Sequence, residues 1–496
     1  MTAVPTTDEY RSLINRALGV ALDADTEGPD LRRLFTPSSH RLALDPDVTV
    51  VRGARGTGKT YWAKALTDPD LRDVAARSYM MPRLRRVRVS IGFTTGGGSD
   101  TLYPSKRKIA RLLRSVTDPE VFEIFWQTVV MMALGVPEVA RIPDWADRIR
   151  WAEENEDAFD DALRRADREA RDSGETLVLL FDALDHLHGD RKTADRLVSA
   201  LFQVALELRL TTGALRAKIF VRPDMYDSAP KTFPDASKLG ANATDLSWSR
   251  ENLYGLLFHQ LGNHQSPEAE KFRARHGEWQ AEGEGRFIAP VDVIADEKRQ
   301  EQVFVTLAGP YMGTDRRKGH TFTWVPNHLQ DGKGRVSPRT WLLALRTAAT
   351  VTAERHAGHS YPLHYEAIRD SLHAASETRV AELKDDIGWA AAAIEQFEGV
   401  QVPMEPSQVR FLWERGGLAD ILRDMAEVDE GAEGPEDEEE PEGGSGPRDP
   451  DDPFALIEEL VALGVLTERA NGALDLPDVY RLAFNIGRKG GVPRRS

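Results

Sequence analysis

The chain has 496 residues, of which 41% are hydrophobic and 29% charged, with a formal net charge of −16 and no cysteine. That length accommodates roughly two to four domains, and the composition is that of an ordinary soluble protein. Without cysteine, disulfides, thiolate metal sites and thiol nucleophiles are excluded.

Residues 1–45 are read as an N-terminal helical arm. The start, Met1 to Glu9, lacks a basic stretch followed by an apolar core, so no signal peptide is expected. Apolar runs such as Val129 to Leu134 are far shorter than a membrane span. A cytoplasmic protein with no membrane partner is the expectation.

Gly53-Ala-Arg-Gly-Thr-Gly-Lys-Thr60 matches G-x-x-x-x-G-K-[ST], the phosphate-binding P-loop. Val48, Val50 and Val51 before it read as a strand, and Tyr61 to Leu66 after it as a helix start. Gly53, Gly56 and Gly58 let the backbone turn its N–H groups toward phosphate oxygens, and the helix adds its positive end. Lys59 is expected at the β- and γ-phosphates and the Thr60 hydroxyl on Mg²⁺. ATP and Mg²⁺ are the implied ligands. Arg55, inside the loop, reads as a solvated side chain.

A strand near Val87 to Phe93 follows the basic cluster Arg83, Arg85, Arg86 and Arg88. That cluster is either a solvated sheet edge or a contact for nucleic-acid phosphates. Pro119 to Leu134 is apolar at helical spacing, and residues 151–172 read as one charged, solvated helix. Thr176 to Phe181 is a continuous apolar run, as a strand covered on both faces requires. Asp182 at its C-terminal end is the candidate Mg²⁺-organising acid. Asp185 is a candidate for positioning or deprotonating the attacking water, or else a helix cap or ion-pair partner. No glutamate follows Asp182, since Ala183 stands there. His186 and His188 belong to the turn, and no histidine spacing supports a metal site. A further strand, Ala217 to Val221, leads into Arg222, which reads as a phosphate sensor or as an ion pair with Asp224 or Asp227. These elements make residues 46–245 an α/β core with a parallel sheet.

Residues 246–400 read as a helical lid or extension. Ser249 and Ser337 are expected helix N-caps, with Pro338 at the first helical position. Arg339 then lies near a helix start, as a nucleotide-sensing arginine or a surface one. Residues 401–496 read as a winged-helix-like module. Phe454 to Leu463 is an amphipathic helix ending at Gly464, and Asn471-Gly472 marks a hairpin. A last helix is expected from Pro477 through Ile486. Pro406 to Met425, with Phe411, Leu412, Trp413, Leu418 and Leu422, supplies the remaining helices. Residues 427–452 hold thirteen acidic residues against Arg448, a local charge of −12 that leaves −4 for the rest. That composition predicts a disordered, self-repelling insertion, or a mimic of nucleic acid. Arg481, Arg488, Lys489, Arg494 and Arg495 form a basic end that suits nucleic acid, a partner protein or plain solubility.

Gly53 to Thr60, Phe-Asp-Ala-Leu-Asp at 181–185, Ile-Phe-Val-Arg at 219–222 and the Pro338-Arg339 helix start resemble bacterial P-loop ATPases of the AAA+ and STAND type. KAP-like and origin-recognition-like members are included. KAP-like proteins usually carry Asp-Asp-Leu-Asp where this chain has Ala183. The resemblance implies nucleotide-driven switching or homo-oligomeric assembly, acting on a partner protein or double-stranded DNA, in settings that include bacterial defence. A non-hydrolysing ATP-binding adaptor working through the winged-helix-like module is the alternative. A GTPase is disfavoured because no Asn-Lys-x-Asp or Thr-Lys-x-Asp motif is present, and a small-molecule kinase because no acceptor pocket is evident.

Overall fold

The computed structural model describes residues 5–19, 30–94, 102–114, 116–283, 285–431, 446–489 and 492. Two compact units emerge, one of Ser38–Leu246 with Arg423–Arg448, the other of Met1–Pro37, Ser247–Leu422 and Asp449–Ser496.

The first unit is α/β. Its sheet contains β1 (Val50–Arg52), β2 (Val87–Phe93), β3 (Thr176–Phe181), β4 (Leu215–Val221) and β5 (Ala243–Asp245), in the order β2-β3-β4-β1-β5. Every pairing is parallel. Parallel strands need helical crossovers, and these cover both faces. That is why Leu177 through Phe181 are all buried. The helices Pro119–Ala133 and Arg191–Thr211 pack their apolar faces into this core, and Trp126 Nε1 donates to the Leu197 carbonyl at 2.7 Å. Lys218 on β4 is fully buried; Nζ donates to the Asp45 carbonyl at 2.6 Å and to that of Val48. Burial lowers its pKa to about 7.

One sequence expectation changes here, and one, the basic cluster as a solvated sheet edge, holds. The stretch 151–172 is not one helix: Trp145–Glu154 ends at Asn155 and Asp157–Ser173 begins after it. The Asn155 side chain donates to the Trp151 carbonyl and so competes with the helical ladder. The Arg83–Arg88 cluster flanks the edge strand β2, and its charges are largely answered locally. Arg83 pairs with Asp45 and Asp47, Arg85 with Asp73 at 2.5 Å, and Arg88 with Glu175 at 3.4 Å.

The second unit is mostly helical. Thr7–Gly19, Arg250–Asn263, Glu297–Ala308 and Pro338–Arg355 share one core around Tyr254, Phe304 and Trp341. Ser249 and Ser337 cap their helices, accepting from the Asn252 and Thr340 N–H groups. A further core holds Trp389, Trp413, Leu418, Leu422, Leu460 and Tyr480, while Phe411 is exposed. The helix Pro453–Leu463 ends at Gly464 with φ +81°, and Thr467–Glu468 pairs antiparallel with Leu474–Asp475 across Asn471-Gly472. The expected last helix shrinks to Asp478–Arg481. Asn485 turns left-handed at φ +53°, and Gly487–Arg488 then pairs with Gln401–Val402. The helix Leu418–Gly431 runs into the acidic stretch, and residues 432–445 lie outside the described residues. No helix among the described residues is long and apolar enough to cross a membrane.

Candidate functional site

The site forms at the C-terminal ends of β1, β3 and β4, where open parallel sheets bind ligands. β1 runs into the glycine loop, and the helix Lys59–Thr67 leaves it. Gly56 and Gly58 adopt φ +74° and +101°, a region that costs other residues free energy. Gly53 is needed for a different reason. A Cβ there would lie 2.6 Å from Thr57 Oγ1 and 3.0 Å from Lys59 Cγ. The Gly53 N–H donates to Val221 on β4 at 3.0 Å, and the Thr57 hydroxyl closes the loop on the Ala54 carbonyl at 2.7 Å. Lys59 reaches back across the loop, Nζ donating to the Gly53 carbonyl at 3.0 Å.

Asp182 ends β3, with its N–H bonded to the Phe93 carbonyl on β2 at 2.9 Å. The side chain is 1% exposed, and neither carboxylate oxygen has a well-formed hydrogen bond. Burial pushes its pKa up to about 6, against the opposing pull of Lys59, the Ala183 N–H and the Thr60 hydroxyl. Asp185 goes the other way. Burial raises it, but Lys59 and Arg222 together hold its carboxyl below the usual range. Lys59 is lowered by burial, with Asp185 and Asp182 offsetting part of the shift. Thus Lys59, Thr60, Asp182, Asp185 and Arg222 share one electrostatic neighbourhood. Two carboxylates whose environments drive their pKa values apart mark a site able to hold a cation and a proton acceptor side by side.

The turn after Asp182 is strained. Ala183 has φ +58°, left-handed for a residue with a Cβ, and Leu184–His186 follows as a single tight turn. His188 Nδ1 accepts the Asp190 N–H at 3.0 Å, a turn role.

Arg222 follows β4 and is buried. Nε and Nη2 each donate to Asp224 at 2.9 Å, a bidentate pair. Arg191 adds a third contact to Asp224 at 3.3 Å. Burial would raise the Asp224 carboxyl, but Arg222 and Arg191 hold it down at about 2. The ion pair with Asp224 is therefore formed, and Arg222 still acts on Lys59 and Asp185. Asp224 was a candidate partner for Arg222 from the sequence, whereas Arg191 was not singled out, nor was the double clamp on Asp224. Their signal is a helix-opening arginine and an Arg-Pro-Asp corner, both common without a site.

Arg339 belongs to the second unit. Nη1 donates to Glu382 at 3.1 Å, and Arg379 takes the other Glu382 oxygen at 2.9 Å. At the chain's basic end, Arg481 is fully buried on Asp478 at 2.5 Å, and Arg488 bridges Asp475 and Asp478 at 2.8 and 3.1 Å. Arg494 and Arg495 lie outside the described residues.

No protein-family model matches the chain, and no curated protein sequence does. Among solved structures it is similar to the Aeropyrum pernix ORC2 protein in its ADPNP–ADP complexes, at 13% identity and a TM-score of 0.35, over 88% of this chain and 84% of that one.

Proposed function

We propose that the chain binds Mg²⁺-ATP in the glycine loop and hydrolyses it to drive a conformational or assembly switch. The observation that carries this is the convergence of Lys59, Asp182, Asp185 and Arg222 at one end of the sheet, with both Asp182 oxygens buried and short of well-formed hydrogen bonds. A buried carboxylate with spare lone pairs suits a hard cation. Asp182 and Thr60 would hold Mg²⁺, which supplies charge neutralisation at the β- and γ-phosphates. Gly53, Gly56 and Gly58 shape the cradle, and Lys59 leaves the Gly53 carbonyl for the phosphates. Asp185, ionised at neutral pH, orients the attacking water and accepts its proton. Arg222, pre-aimed by Asp224 and Arg191, answers charge that develops on the leaving side. Arg339 is assigned to nucleotide sensing.

The output is a partner protein of a multi-component system in the cytoplasm, with nucleotide-dependent homo-oligomers and a role in bacterial defence as the finer reading. Double-stranded DNA is the second partner to test, through the winged-helix-like module of residues 401–496. Because Arg481 and Arg488 already serve internal ion pairs, that contact falls to Lys489, Arg494 and Arg495.

Ala183 favours a second reading, an adaptor that holds ATP without turnover, since it stands where a further acid would help activate water. ATP turnover of wild type, Lys59→Ala and Asp182→Ala, with and without double-stranded DNA, separates the two. Loss of turnover in both variants supports the ATPase. Tight, Lys59-dependent ATP binding without turnover supports the adaptor.

A further inference from the structure

We propose that His356, His364 and Glu366 bind one divalent transition-metal ion of the zinc type, clipping the end of one helix to the start of the next. The proposal is independent of the nucleotide reading, because all three residues belong to the second unit.

One ligand atom from each of the three lies within 4.8 Å of the others. His356 is the residue that ends the helix Pro338–Arg355, and His364 caps the start of Tyr365–Asp386. Their rings are stacked with centroids 3.8 Å apart, so ligation requires one ring to turn about its side-chain bonds to aim both nitrogens at one ion, and His356 Nε2 lies 3.8 Å from a Glu366 oxygen. His359 stands edge-on to His364 at 4.5 Å.

The loop that carries these groups is built before any ion arrives. Arg11, 4% exposed, threads its guanidinium into the loop. It donates to the carbonyls of Pro362 at 3.1 Å, Ala357 at 3.0 Å, and His359 and Tyr361 at 3.4 Å. The His364 N–H donates to Thr352 Oγ1 at 3.0 Å. Ligands on a fixed backbone lose little freedom on binding.

Two imidazole nitrogens and one carboxylate oxygen form a borderline-soft donor set with an open fourth position. That set selects zinc-like ions over Mg²⁺ or Ca²⁺. His364 Nδ1 accepts the Glu366 N–H at 3.1 Å, so its ring proton sits on Nε2. Ligation through Nε2 shifts that proton to Nδ1 and gives up this one cap bond.

The test uses the full chain, with millimolar Mg²⁺ throughout to occupy hard-oxygen sites. Zn²⁺ binding is measured by calorimetry for wild type, His356→Ala, Glu366→Gln, the double variant, and His364→Asn, which keeps a cap. Co²⁺ is added in parallel and its visible absorption recorded, with circular dichroism confirming that each variant is folded. The proposal expects one ion per chain, a loss of at least about tenfold in affinity in each folded single variant, and an intense tetrahedral-type Co²⁺ band that the double variant lacks. Zinc affinity unchanged in the folded double variant, no binding by wild type, or a weak octahedral-type Co²⁺ spectrum would overturn it.

Discussion

Asp182 is 1% exposed and its carboxylate oxygens lack well-formed hydrogen bonds, so burial opposes its charge. An acid whose folded pKa is raised, here from 3.8 to about 6, destabilises the fold once ionised. Stability therefore falls as pH rises through that window, and the deficit is complete above it. Asp182→Asn should raise the stability of the nucleotide-free protein at pH 7 by about 3 kcal/mol, from a shift of this size. The gain should vanish below about pH 4, where wild-type Asp182 is protonated in both states. Urea unfolding at the two pH values reads this directly; an Asn variant no more stable than wild type at pH 7 would remove the electrostatic cost from the account. The same variant should lose Mg²⁺-dependent nucleotide binding, because a neutral amide is a poor ligand for a hard cation. Next to it, Ala183 holds φ +58°. Ala183→Gly should stabilise the protein by about 1 kcal/mol, since glycine adopts that conformation freely. An unchanged or lowered urea midpoint would mean that the turn is not strained.

At the scale of elements, the site depends on how β3 is seated. A Cβ at Gly92 on β2 would meet the Phe181 ring at 2.4 Å, and Phe181 immediately precedes Asp182. Gly92→Ala should cost about 1–3 kcal/mol through overpacking and weaken nucleotide binding by shifting Asp182, measurable by thermal unfolding with and without Mg²⁺-ATP. In the helical unit, Glu382 is 4% exposed between Arg339 and Arg379. Glu382→Ala leaves two arginines without their shared partner and should cost about 3 kcal/mol in urea unfolding. A loss below about 1 kcal/mol would mean that the two arginines find other partners. The elements most legible in the sequence are those with one dominant cause. β3 is a continuous apolar run because it is covered on both faces; Ser249 and Ser337 start their helices and Gly464 ends one, as expected. β5 escaped notice because Ala-Thr-Asp is a short, half-polar edge strand recognised only by its pairing with β1. The break at Asn155 and the early end of the last helix also escaped, because each is set by local competition for backbone bonds rather than by hydrophobic period.

Across the whole molecule, the placement of the glycine loop between β1 and a helix, and of Asp182 at a strand end, was legible because the motif fixes residue types at set spacing. The Asp224–Arg191 clamp and the His356–Glu366 cluster were not, because they join residues whose meaning comes from the fold. Histidines at 356 and 364 lie beyond the spacing of a familiar metal motif, and only the helical hairpin returns them to one place. The central claim is that this chain turns over ATP at the glycine loop. Steady-state phosphate release with Mg²⁺-ATP, for wild type, Lys59→Ala and Asp182→Ala, tests it most directly. The account predicts measurable wild-type turnover and a loss of at least about a hundredfold in each variant, the scale expected for removing a charge-stabilising group. Turnover that persists in both folded variants would contradict it.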